Sequence, residues 1–250
     1  MLRALTRAVS PALNRCELTY LTRETIDIPR AEAQHAAYVQ RLRDLGIEVI
    51  ALPAMPDSPD AVFVEDPAVV VDEVAVIARM GAPSRRGESA SVAAALRRFR
   101  PLFRMWAPAT LDGGDVFRVG RTLFAGLSQR TNPEGIALLR GALAPYGYEV
   151  RAVPVRGCLH LKSGACHVGG NTLLVNREWL DTTVFAGYEL IDVEEPGAAD
   201  VLAIGDEVLM AEGFPKTLAK LQGAGFRVQT VDVSELQKAE AGVTCMSVIF

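Results

Sequence analysis

The sequence predicts a closed five-bladed α/β propeller, and three observations lead there. Four segments carry hairpin grammar, each with two short apolar runs around a polar or glycine-containing dipeptide. Five segments read as short alternating strands, most of them entered through a glycine. Helical stretches precede several of those strands, so a ββαβ-type unit recurs about five times. A lone unit of this kind leaves an apolar sheet face bare. Packing the units around a central site covers those faces. An open three-layer α/β sandwich is the alternative architecture.

The hairpins fall at AVVVDEVAVIARMG (68–81), VFRVGRTLFAGLS (116–128), CHVGGNTLLVN (166–176) and VLAIGDEVLMAEG (201–213). Their expected turns are Asp72-Glu73, Gly120-Arg121, Gly170-Asn171 and Asp206-Glu207. The further strands are LGIEVIALP (45–53), YGYEVRAVPV (146–155), AGYELIDV (186–193), AGFRVQTVDV (224–233) and a weaker FRPLFRMWAP (99–108). Residues 30–45 form a helix between Pro29 and the stop at Gly46, with Tyr38, Leu42 and Leu45 on one face. Residues 88–99, 133–145 and 215–222 are further helices, and the stretch before 186–193 is the poorest helix candidate. The C-terminal VTCMSVIF is one hairpin strand short. The first 25 residues, including CELTYLTR, are expected to close the ring. One domain over residues 1–250 follows.

The charge balance is 26 Lys+Arg against 30 Asp+Glu, a net −4, which argues against nucleic acid as a partner. No run approaches the roughly 18 apolar residues of a membrane span. MLRALTRAVSPAL has no uninterrupted apolar stretch of the kind a secretory signal needs. The four cysteines contain no CxxC pair and read as reduced thiols, so a cytoplasmic protein is expected.

Chemistry-bearing residues recur in one phase of the repeat, in the loop before each hairpin. The first loop holds Asp60, Glu65 and Asp66, the second Asp112 and Asp115, the third His160, Lys162 and Ser163, and the fifth Cys245. Gly113, Gly114 and Gly242 permit close backbone approach there. Taken singly, Cys245 reads as a buried apolar residue, His160 as a core histidine, Asp112 as a turn residue and the first loop as a solvated acidic segment. Their shared phase favours one site. A zinc cluster of Cys158, His160, Cys166 and His167 matches no common spacing, and strand alternation sends Cys166 and His167 to opposite faces. His35 reads as structural. No metal or cofactor motif is present in the sequence.

A thiol among carboxylates is a poor nucleophile, because the neighbouring charge raises its pKa. A cationic substrate removes the conflict. A guanidinium held between Asp66 and Asp112 would present its planar carbon to Cys245, with His160 as general acid and base. The pattern points to cleavage of a C–N bond at a guanidinium or amidinium carbon.

FVEDPAVV, RMGAPSRRGE, TLDGGDVF, GLSQRTN, LHLKSG and VTCMSV, in that order, resemble the dimethylarginine dimethylaminohydrolase (dimethylargininase) family over about residues 15 to 250. That family belongs to the guanidine-modifying, or pentein, superfamily of five-bladed α/β propellers. The resemblance implies hydrolysis of asymmetric dimethylarginine and monomethylarginine to citrulline and an alkylamine, without a cofactor, by a monomer or homodimer. It implies Cys245 as nucleophile, His160 as general acid/base and Asp112 as the acidic partner of the guanidinium and the histidine. It further implies substrate contacts from Leu18 in a lid loop, Asp60, Glu65, Asp66 and the backbone of Ala239. Arg85 and Arg130 become the clamp on the substrate carboxylate. Ala239 stands where larger aliphatics are familiar. A hydrolase of free arginine or another substituted guanidine or urea is the neighbouring enzyme reading. A non-catalytic binding protein of the same fold, like a ribosome anti-association factor, is the reading from another class.

Overall fold

The computed structural model describes residues 1–250. Strand β1 (Arg3–Arg7) lies parallel to β2 (Glu48–Leu52). The first hairpin is β3 (Ala68–Val70) and β4 (Ala75–Ile77), with β5 (Leu102–Arg104) parallel to β4. The pattern repeats with β6 (Val116–Val119), β7 (Thr122–Leu127) and β8 (Glu149–Pro154). It repeats again with β9 (Ala165–Gly169), β10 (Thr172–Val175) and β11 (Glu189–Asp192). The fourth copy is β12 (Val201–Ile204), β13 (Glu207–Ala211) and β14 (Arg227–Val231). Finally β15 (Val248–Ile249) pairs antiparallel with β1, completing a fifth three-stranded sheet from the two chain ends.

One cavity is lined by Val69, Phe117, Cys166, Leu202 and Val248, one residue from the edge strand of each sheet that pairs antiparallel with its neighbour. The five strands therefore stand around a common axis, as the repeat predicts. Closure differs from expectation in one respect. RALTR supplies the missing strand, whereas CELTYLTR is irregular chain. The cause is composition: residues 4–7 are all buried, but Thr6 and Arg7 among them interrupt the apolar run that marks the other buried strands.

Three hairpins turn at the expected dipeptides. The fourth turns one residue earlier, because Gly205 takes φ +59 and Glu207 already pairs with Ile204. Helices span Ile28–Asp44, Ser89–Leu96, Pro133–Leu143 and Pro215–Gly223. The first is capped by Asp27, whose side chain accepts from Arg30 N at 3.1 Å. The third is capped by Asn132, which accepts from Gly135 N at 2.8 Å. Before β11 there is only the 3₁₀ turn Thr182–Phe185. Each helix lays its apolar face on the sheets. Ile136, Leu139 and Leu143, for example, bury against Leu123 and Val150, at about 1.5–3 kcal/mol per large aliphatic side chain. His35 is buried in the first helix, and burial holds its imidazole down at about 4. No helix is long and apolar enough to cross a membrane.

Candidate active site

The loops that precede the strands around the axis meet at a narrow recess. Its walls include Asp60, Asp66, Arg85, Arg130, His160, Ala239 and Cys245 from the sequence-predicted set. Glycines make the convergence possible. A Cβ at Gly113 would stand 2.1 Å from the Glu65 carbonyl oxygen, and one at Gly114 would stand 2.6 Å from His160 Nδ1.

Asp112 is fully buried behind the recess and orients the histidine. Its Oδ2 lies 3.1 Å from His160 Nε2, and its Oδ1 accepts from Gly81 N at 2.8 Å. Asp66 Oδ1 stands 3.9 Å from His160 Nδ1. Asp115 fixes the histidine loop from beneath. It accepts from Leu161 N at 2.9 Å and from the hydroxyls of Ser128 and Thr131. Burial alone would lower the His160 pKa. Asp66, the Asp112 hydrogen bond and Asp115 outweigh it and hold the imidazole up at about 9. Cys245 is half-buried, and its Sγ receives the Gly242 N–H at 3.3 Å. Burial, then Asp200, Glu65 and Asp66, push this thiol well above its usual range. The free site thus pairs a neutral thiol with a charged imidazole.

Asp60 accepts from Glu17 N at 3.2 Å through both oxygens. Arg130 reaches Thr19 Oγ1 at 3.4 Å and stands 3.9 Å from Asp112 Oδ2, so its guanidinium is loosely held. The backbone turn at Ala239–Glu240 forms another wall.

Three residues of the expected set stand differently from the others. Glu65 does not face the recess. Its carboxylate pairs with Lys162 Nζ and accepts from Thr244 Oγ1 at 2.9 Å, beside the axial cavity. The buried ammonium of Lys162 requires that partner, so neighbours 65 and 66 point to different places. Arg85 is not an open clamp. It is bound to Asp66 Oδ2 at 2.6 Å, to Glu88 at 2.9 Å and to the carbonyls of Asp60 and Phe63. Leu18 is half-buried against the core rather than in the recess wall. The loop that carries it is nonetheless tied across the site. The Glu240 carboxylate accepts from the N–H groups of Thr19, Tyr20 and Leu21.

Sequence reasoning missed Glu240 and Asp200. Glu240 shows no motif. Its signal is structural, a non-glycine residue at φ 59. Asp200 had a legible signal. It directly precedes β12 as Asp115 directly precedes β6, the same phase of the repeat. Cys16, Cys158 and Cys166 are buried free thiols. His167 Nε2 lies 3.1 Å from the Gly170 carbonyl oxygen.

The family model for N,N dimethylarginine dimethylhydrolase, eukaryotic, matches residues 17–195. The N(G),N(G)-dimethylarginine dimethylaminohydrolase of Streptomyces coelicolor is 41% identical, the alignment covering 98% of this chain and 96% of that one. The chain belongs to the dimethylarginine dimethylaminohydrolase family. The family's Pseudomonas aeruginosa enzyme is 36% identical over 90% of each chain. A crystal structure of that organism's enzyme, a cysteine-to-serine variant complexed with citrulline, superposes with a TM-score of 0.94 and covers 100% of both chains at 34% identity. The mixed α/β architecture of five small sheets is that of the family.

Proposed function

We propose that this single-domain protein hydrolyses asymmetric dimethylarginine and monomethylarginine to citrulline plus dimethylamine or methylamine, through a covalent adduct on Cys245. The observation that carries the proposal is the recess itself, where a neutral thiol and a charged imidazole share a pocket with the carboxylates of Asp60 and Asp66.

The mechanism follows from charge. A guanidinium entering the recess offsets the negative field that keeps the thiol protonated, so the thiol proton leaves to solvent and the thiolate attacks the guanidinium carbon. Asp66 faces the cation, while Asp112 keeps the His160 ring in register. A C–S bond forms, the C–N bond to the alkylated nitrogen breaks, and His160 gives its proton to the departing amine. Neutral His160 then takes a proton from water. The hydroxide adds to the same carbon, the C–S bond breaks, and citrulline leaves with the thiol restored. The loosely held Arg130 is assigned to the substrate carboxylate, with Asp60 and the Ala239 carbonyl receiving the α-ammonium. Arg85, committed to Asp66 and Glu88, is assigned to fixing the Asp66 carboxylate.

The test is citrulline formation from arginine, monomethylarginine and asymmetric dimethylarginine. Turnover of the methylated forms in preference to arginine, and none with Cys245→Ser, is expected. Faster turnover of arginine would overturn the substrate assignment. An active Cys245→Ser protein would overturn the covalent route.

A further inference from the structure

Four of the five units bring a functional group to the site, and the fourth unit brought none that the sequence announced. Asp200 stands at its equivalent position, immediately before β12, and is buried. Its carboxylate reaches across to the turn that carries the nucleophile. Oδ1 accepts from Thr244 N at 2.9 Å, and Oδ2 lies 3.1 Å from Thr244 Oγ1. The same carboxylate lies flush on Gly242, where a Cβ would stand 2.1 Å from Asp200 Cγ. The far side of this turn is the Gly242 N–H that donates to Cys245 Sγ at 3.3 Å. Asp200 is outside the wall of the substrate recess.

We propose that Asp200 is the positioning residue of the nucleophile turn, holding Gly242 and Thr244 so that the Cys245 sulfur is fixed for attack. The proposal rests on the catalytic reading of Cys245 given above.

The hydrogen count around Thr244 sharpens the assignment. Its single hydroxyl proton lies between two carboxylates, with Glu65 Oε2 at 2.9 Å and Asp200 Oδ2 at 3.1 Å. One hydroxyl donates to only one of them, so the other contact is favourable only when that carboxyl carries a proton. Burial raises both acids, Glu65 to about 7. Asp200 therefore acts on Cys245 in two separable ways. Through its oxygen atoms it orders the turn, and through its charge it opposes thiolate formation. The other ionisable groups around the sulfur are Glu65, Asp66 and His160, with Lys162 paired to Glu65, Tyr38 behind the turn, and Glu17, Asp60, Arg85, Arg130 and Glu240 along the recess wall.

The experiment compares Asp200→Ala with Asp200→Asn. Two readouts are used: steady-state kinetics, and the pH profile of Cys245 alkylation by iodoacetamide followed on the Cys245 peptide. The alanine removes both effects. Its kcat is expected to fall about tenfold or more, the scale of a lost charge-assisted hydrogen bond, with KM within about threefold. The asparagine still accepts from Thr244 N and can donate to Thr244 Oγ1, which then donates to Glu65. It is expected to restore kcat to within about threefold and to move the alkylation profile about one pH unit lower.

A merely structural role would lower stability without moving that profile. An unchanged kcat in Asp200→Ala, or an Asp200→Asn profile that coincides with the parent's, would overturn the proposal. If the alanine variant does not fold, the asparagine profile decides alone. Alkylation needs no substrate, so failure of the proposed reaction and failure of this placement are read separately.

Discussion

Replacing Glu240 with glycine is expected to unlatch the loop over the site without unfolding the protein. The Glu240 carboxylate collects three consecutive N–H groups, those of Thr19, Tyr20 and Leu21, with the Thr19 contact at 2.9 Å. Hydrogen bonds to a charged group are worth about 1.5–3 kcal/mol each. The latch is partly exposed and competes with water, so ~1.4 kcal/mol for the whole of it is the conservative figure. That is about a tenfold rise in the opening equilibrium. Glu240 also sits at φ 59. A left-handed conformation costs a non-glycine residue roughly 1–2 kcal/mol, which glycine does not incur. Local and global stability should therefore separate. Amide hydrogen exchange in residues 17–23 should speed up about tenfold in Glu240→Gly, with the thermal midpoint shifted by less than about 5 °C. Glu240→Gln keeps the shape and loses the charge, and its exchange should fall between the two. Unchanged exchange at residues 19–21 in both variants, or acceleration spread evenly over the whole chain, would refute the latch.

Two further outcomes follow from the same structure. His160 is held at about 9 against an ordinary 6.5. Turnover that needs the imidazolium should thus decline as pH rises through about 9, and Asp112→Asn should move that limb to lower pH. The sign carries over to stability, because a raised histidine pKa stabilises fully below about 6.5 and ceases to do so above 9. Urea midpoints that rise between those values would contradict the assignment. The helix Pro133–Leu143 supplies a paired packing test. A Cβ at Gly135 would stand 1.9 Å from the Thr110 carbonyl oxygen, whereas one at Gly141 meets nothing within 4 Å. Gly135→Ala should cost about 2–4 kcal/mol in urea denaturation. Gly141→Ala should add up to ~1 kcal/mol.

Hairpins and helices were legible because the hairpin strands are short apolar runs around polar or glycine turns, and the first helix is bracketed by Pro29 and Gly46. β1 was not, because the buried Thr6 and Arg7 break its apolar run, while the irregular CELTYLTR mimics a strand. The site was legible where its residues repeat in phase, as Asp112, His160 and Cys245 do. Adjacent acids gave no such guidance. Nothing in FVED distinguishes Asp66, facing His160, from Glu65, facing Lys162, because the difference depends on a lysine 97 positions away. The partners of Arg85 were hidden for a related reason. A sequence offers its guanidinium as free, and only the folded chain places Asp66 and Glu88 against it. Asp200 was marked only by its phase in the repeat, because its hydrogen-bond partner is a turn 44 positions away.

The electrostatics of the recess make binding and activation one event. Cysteine nucleophiles are commonly activated in advance by a nearby cation. Here Asp200, Glu65 and Asp66 work against the thiolate, while Asp66, Asp112 and Asp115 stabilise the imidazolium. The proton inventory of the free site is then inverted relative to a preformed thiolate–imidazolium pair, with the proposed acid, His160, ready and the proposed nucleophile, Cys245, withheld. A neutral ligand leaves that inventory as it stands, whereas a guanidinium supplies the missing positive charge beside the sulfur. Citrulline carries a neutral ureido group, so the field that favoured the cation no longer favours the product, and the thiol regains its proton. On the proposed roles, selectivity for a charged substrate and release of an uncharged product follow from the same acidic surroundings of the sulfur.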